Sequence, residues 1–262
     1  FPTRRSSDLA SGTIGTAAVV QAPADGYTFA VVFDTFGVNP SLTASMPFDS
    51  KKDLVPLVLV GTSPMVLATN VNSEYKTFAD VVAAAKAKKN VSFGTIGNGS
   101  LGHLAMALLG KDANVEWTHV PYKGGGQQIT DALGGQFELL SVNASSAVLQ
   151  HILEGKLRPL AVGSPSRLDS LPQVPTLSEL GFTAANLSSQ FGVMAPALTP
   201  PAIVERLNAE IQAVLLQPAV RDRLSAAECL PLKTSVLEFK RIITQESDNM
   251  ARIVKDARIV GE

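Results

Sequence analysis

Across residues 91–163 short apolar runs alternate with helical stretches, and this alternation restricts the fold more than any other feature of the chain. Residues 91–96, 115–120, 137–142 and 160–163 read as strands. Residues 100–109, 127–133 and 145–154 between them read as helices, the last two stopped by Gly134-Gly135 and Gly155. Strands that alternate with helices of this length form βαβ units in parallel sheets, an α/β class. Upstream, residues 27–33 (YTFAVVF) read as a continuous apolar strand, 34–40 as a loop, and 57–60 and 65–68 as two strands broken at 61–64. Residues 10–24 suit a short helix closed by the Asp25-Gly26 turn.

Helix starts are marked by cap chemistry. Thr77 with Asp80 and Ser235 with Glu238 have capping-box spacing, and Thr199-Pro200-Pro201 suits a helix start. Beyond it, Ile203, Val204, Leu207, Ile211, Val214 and Leu215 recur at helical spacing, as do Phe239, Ile242, Ile243, Met250, Ile253 and Val254. An α/β region that finishes in helices suggests two lobes with a ligand in the crevice between them.

Composition narrows the class of partner. Of 262 residues, 45% are hydrophobic and 17% charged, which excludes a disordered chain. Lys and Arg number 22 against 23 acids, so there is no basic footprint for nucleic acid or an anionic membrane. Cys229 is the one cysteine, and it supplies neither a CxxC pair nor a zinc ribbon. The uncharged, apolar stretch 54–73 carries Pro56, Gly61 and Pro64 and reads as strands, not a bilayer span. The opening FPTRRSSDL looks like a translated sequencing adapter; residues 1–9 are then a non-native leader, and the natural start, with any signal peptide, is expected to be lost.

Two strand–helix junctions carry the candidate chemistry. In FGTIGNGSLGH (93–103), backbone amides point out of a helix N-terminus, where unpaired donors and the dipole attract anions. Gly97, Gly99 and Gly102 also match the dinucleotide fingerprint, so an NAD-dependent oxidoreductase is an alternative. That reading wants an acid at the end of the next strand, where Val120-Pro121 stand. Ser100 is a helix N-cap, and the spacing fits neither a P-loop nor a hydrolase elbow. In PYKGGGQQ (121–128), three glycines allow close backbone approach. Tyr122 suits stacking or hydrogen bonding, and Lys123 a carboxylate; a flexible loop with a solvated lysine fits the spacing equally. The histidines at 103, 119 and 151 are far apart in sequence, without metal-ligand spacing, and Glu116, Asp131 and Glu138 read as solvated faces.

ADGYTFAVVF, VNPSL, FGTIGNGSLGHLA, VPYKGGGQQITDALGGQ, ILEGKLRPLAVGSPSRLDSLPQVPTLSELGF and FGVMAPALTPPAIVERLN together resemble the Bug family of periplasmic solute-binding proteins, which serve tripartite tricarboxylate transporters. The resemblance covers residues 12–259. It implies a type II periplasmic-binding-protein fold, two α/β lobes joined by two crossing strands: lobe 1 from 10–63 and 190–262, lobe 2 from 64–189. The crossings fall near Ser63 and Gln190. It further implies a periplasmic, monomeric receptor without cofactor or catalysis that closes on a small organic carboxylate and delivers it to membrane transporter subunits. Backbone donors and ordered water at strand–helix loops hold the acid in this family. Carried over, the ligand residues are Thr95, Asn98, Gly99 and Ser100; Tyr122, Lys123 and Gly124; Asp34, Thr35 and Phe36; and Ser63 and Gln190. Members of the family open with a strand and helix of lobe 1 that are missing here. Asp34-Thr35-Phe36 and Ser141-Val142-Asn143 also depart from the family's habit of a small residue or His in the first and an Asp in the second. A LysR-type regulator's effector domain shares the fold, but no basic helical segment accompanies it here.

Overall fold

The computed structural model describes residues 12–43, 45–257 and 259; the adapter-like leader lies outside them. In chain order the elements are α1 (Thr13–Val20), β1 (Ala30–Val32), α2 (Asp34–Leu42), β2 (Leu54–Asn70), α3 (Phe78–Lys86), β3 (Ser92–Thr95), α4 (Leu101–Ala113), β4 (Thr118–Pro121), α5 (Gly125–Leu133), β5 (Leu139–Asn143), α6 (Ser146–Leu153), β6 (Leu157–Gly163), β7 (Ser188–Pro196), α7 (Pro201–Leu215), α8 (Pro218–Ala226), β8 (Leu230–Pro231) and α9 (Val236–Asp256). They fall into two units: Ser63–Ser189, and the described residues before Ser63 together with those from Gln190 onward.

In the Ser63–Ser189 unit, β3 pairs in parallel with β4 (Thr95 opposite Pro121) and with β5 (Gly94 opposite Leu140). The expected parallel run is interrupted by the second half of β2, which pairs antiparallel with both β5 (Leu67 opposite Ser141) and β6 (Leu67 opposite Ala161). A strand with neighbours on both edges and layers on both faces must be apolar throughout, and Met65, Val66, Leu67 and Ala68 are fully buried. Val66, Leu140, Val162, Phe137, Val148 and Ile152 form the core beside it.

The two strands expected at 57–60 and 65–68 are one, β2, and the apparent break at 61–64 serves packing. At Gly61 a Cβ would come within 2.4 Å of the Leu230 carbonyl oxygen, where β8 pairs with β2. Pro64 lacks an N–H, but its carbonyl accepts from Ala144 N–H at 2.9 Å.

In the other unit, β1 pairs antiparallel with β7, Ala30 opposite Met194. Phe36, Leu59, Met194 and Phe239 form one core, and Leu57, Val58, Val193, Ala195 and Val204 a second. Two expectations fail here. The strand read at 27–33 contracts to three residues, because Ala30 and Val32 face the core while Phe29, Val31 and Phe33 on the alternate face are exposed. The loop read at 34–40 is helix α2, despite Gly37 and Pro40. Burial of Phe36 and Val38 offsets their helix-breaking tendency. Gly37 lets α2 approach α9, since a Cβ there would lie 3.2 Å from Ser247 Oγ.

The serine and threonine caps form, and the reciprocal box expected at both Thr77/Asp80 and Ser235/Glu238 is recorded for the first pair. Thr77 and Asp80 form a reciprocal capping box on α3, and Ser100, Ser145 and Ser235 each accept the N–H three residues on. Among the described residues no helix is long and apolar enough to cross a membrane.

Candidate functional site

Parallel pairing of β3 with β4 sets their following loops side by side at the carboxyl ends of the strands, where open α/β sheets bind ligands. Tyr122 N–H donates to Thr95 O at 2.8 Å, and a Cβ on Gly97 would lie 3.5 Å from Tyr122 O. The fingerprint glycines each answer a local demand. Gly97 (φ 124°) and Gly99 (φ 70°) adopt left-handed conformations. Gly102 brings α4 against β5, because a Cβ there would come within 2.8 Å of Ser141 O. Fold geometry thus accounts for all three glycines without a dinucleotide.

The first loop is closed by its own hydrogen bonds. Gly97 N–H donates to Thr95 Oγ1 (3.2 Å), and Ser100 Oγ donates to Gly97 O (2.8 Å). Ser100 N–H also donates to Gly97 O (3.3 Å), and Gly99 N–H donates to His103 Nδ1 (3.2 Å). Thr95 and Ser100 are buried, Asn98 half-buried. The second loop is open by comparison. The N-terminus of α5 has no side-chain cap, Gly124, Gly125 and Gly126 border open space, and Lys123 is exposed beside them. Tyr122 turns the other way: its ring packs with Phe137 in the core and its hydroxyl donates to Asp131 Oδ2 at 2.9 Å. Burial, with the Asp131 bond, pushes the phenol up to about 12.

Two of the histidines are neighbours in space, contrary to their separation in sequence. The His103 and His119 rings stack with centroids 4.0 Å apart, and Phe93 stacks on His119 at 4.8 Å. His119 Nε2 lies 2.7 Å from Thr95 Oγ1. Burial, reinforced by His103, lowers His119 to about 4; burial also lowers His103. Both rings are therefore neutral at physiological pH. Nothing in the spacing of residues 103 and 119 announces this pair; the strand register that sets Phe93 opposite His119 makes it. Sequence reasoning also missed Gln128, whose buried amide donates to Gly94 O (2.9 Å) and Ser141 O (3.0 Å) and so ties α5 to β3 and β5.

Two acids read as solvated are structural. Asp131 receives the Tyr122 hydroxyl, and Glu138 accepts from both the N–H and the hydroxyl of Ser92. Among the described residues no group of His, Cys, Asp and Glu is arranged to hold a metal.

The remaining candidates lie apart from these loops in the chain. Ser63 is a buried residue of β2. Asp34, Thr35 and Phe36 form the first turn of α2, with Phe36 in the core. Asp34 and Gln190 line a small cavity with Gly37, Gly192, Glu246 and Ser247. Burial, and then Asp34, raises the Glu246 carboxyl above its ordinary range. Glu246 is a further residue that the sequence did not single out.

Residues 5–259 match the family described as tripartite tricarboxylate transporter family receptor, a match that begins inside the leader set aside above. The protein BugT of Bordetella pertussis is 34% identical over 94% of this chain and 76% of its own length. Among solved structures, R. palustris Rpa4515 with adipate is 29% identical with a TM-score of 0.90, over 98% of this chain and 86% of that one. The periplasmic binding protein BugD is 27% identical with a TM-score of 0.86, over 97% and 85%. The chain spans 66% of the first curated relative that it matches and 72–76% of the next two. The α/β periplasmic-binding fold implied by the resemblance is the fold of these structures, and the nicotinamide reading finds no support among the relatives.

Proposed function

Because the chain belongs to the family of tripartite tricarboxylate transporter receptors, we propose that it is a periplasmic solute-binding protein. It captures a small organic carboxylate and passes it, chemically unchanged, to the membrane subunits of a transporter. The observation that carries this reading is the pair of adjoining glycine loops at the carboxyl ends of β3 and β4, each opening into a helix N-terminus. The helix dipole at both entrances, with the uncapped amides at the start of α5, favours a carboxylate there. The uncapped start of α5 and exposed Lys123 supply the stronger attraction, while the self-bonded turn at 97–100 supplies a rigid wall. Adipate in the R. palustris relative supports a dicarboxylic acid as ligand. No step of this function requires a cofactor.

Calorimetric titration with adipate, malate and benzoate tests the proposal, with each acid recovered afterwards for analysis. Saturable binding of at least one acid, returned intact, is expected. Binding of none, or conversion of the acid into a product, would refute it. Retention of NAD in equilibrium dialysis would instead favour the dehydrogenase.

A further inference from the structure

The turn at 97–100 is held by an unusual form of a familiar helix cap. In a capping box the N-cap hydroxyl accepts the N–H three residues on, and that third residue's side chain reaches back to the N-cap N–H. Helix α3 does this with a carboxylate: Asp80 N–H donates to Thr77 Oγ1, and Asp80 Oδ2 accepts from Thr77 N–H (2.8 Å) and Lys76 N–H (2.9 Å). On α9 the third position is again an acid, Glu238, where Glu238 N–H donates to Ser235 Oγ at 3.1 Å. At α4, Ser100 Oγ accepts His103 N–H (3.4 Å) and the return arm is an imidazole, His103 Nδ1 accepting from Gly99 N–H at 3.2 Å, one residue before the N-cap as Lys76 is on α3, while Ser100 N–H turns back to Gly97 O. A nitrogen that accepts carries no proton, so the His103 proton sits on Nε2. The ring is pinned flat by His119, itself stacked on Phe93 and bonded to Thr95.

The substitution of imidazole for carboxylate falls at the helix whose entrance forms the proposed acid-binding wall. An acidic arm would close the turn equally well and would suit the helix dipole better. It would also place a fixed negative charge in the wall against which the acid is proposed to sit. We infer that His103 is an uncharged capping arm, a positioning residue that shapes the glycine turn while keeping negative charge away from the bound carboxylate. The inference rests on the carboxylate reading above and adds to it a determinant of charge selectivity. The lowered proton affinity of His103, caused by burial, agrees with a neutral arm. By contrast, backbone hydrogen bonds from Lys76 and Thr77 hold the Asp80 carboxyl below its ordinary value and so keep that arm charged.

The test compares His103→Asn with His103→Asp in the full chain, by titration with adipate, malate and benzoate and by thermal melting. Both substitutions lose the ring stack and keep an acceptor oxygen of the same reach, so they differ in charge alone. His103→Asn is expected to bind within a few-fold of wild type. His103→Asp is expected to melt no lower than His103→Asn, yet to lose on the order of a hundredfold in affinity. That loss corresponds to like charges about 6 Å apart at an effective dielectric near about 20. Equal affinities in two folded variants, whether both strong or both lost, would overturn the inference while leaving the carboxylate reading intact. A wild-type chain that binds none of the acids would refute that reading and the inference with it.

Discussion

Acidification is expected to unfold this protein partly through one imidazole. His119 holds its proton in the native state only below about 4, against 6.5 for the ordinary side chain, chiefly because it is buried and secondarily because His103 lies against it. The unfolded chain therefore binds a proton that the folded chain refuses throughout that interval, and stability falls as pH drops from about 6.5 toward about 4. Above the interval both states are neutral and His119 contributes no slope; below it both are charged and the loss is complete. A gap of about 2.5 pH units is worth at most about 3.4 kcal/mol. Partial solvent access to the ring reduces this to about 1–2 kcal/mol. His119→Gln removes the titration and keeps an amide in reach of Thr95 Oγ1, the 2.7 Å partner of the native ring. Urea unfolding of both proteins between about pH 7.5 and about 4.5 is the assay. Carboxylates titrate alike in the two, so they cancel in the difference. Wild type should lose about 1–2 kcal/mol more than the variant across this range. Parallel pH profiles would refute the half-buried neutral imidazole and the stack that shields it.

Two further substitutions separate packing from binding. Gly94→Ala places a Cβ 2.4 Å from the Phe137 ring; a loss of about 1–3 kcal/mol in denaturant unfolding is expected from overpacking, and an unchanged midpoint would show that the ring moves aside freely. Tyr122→Phe removes the hydroxyl that donates to Asp131; it should cost about 1 kcal/mol of stability and leave acid affinity unchanged, whereas a tenfold or greater loss of affinity would show that the hydroxyl meets the ligand.

Cap chemistry was legible in the sequence because it is local. Thr77, Ser100 and Ser235 each find their amide three residues away, whatever surrounds them. The alternation over residues 91–163 was legible for a related reason: a strand between two packed layers must be apolar, and a helix against it must repeat at its own period. Glycines marked the loops at 97–102 and 124–126, and the structure keeps them there.

Contacts between distant residues decided the rest. Gly61 and Pro64 signal a turn when read locally, yet β2 runs straight through them because β8 crosses closely at Gly61 and Pro64 needs only to accept. Gly37 and Pro40 argue against a helix, yet α2 forms because α9 covers its apolar side. His103 and His119 gave no signal, since a helix and the next strand of the sheet bring them together only once β3 and β4 pair in register. Sequence determines what the backbone does within a turn or a period. Which side chains meet, and which of them stay uncharged, depends on burial and register that only the folded sheet supplies.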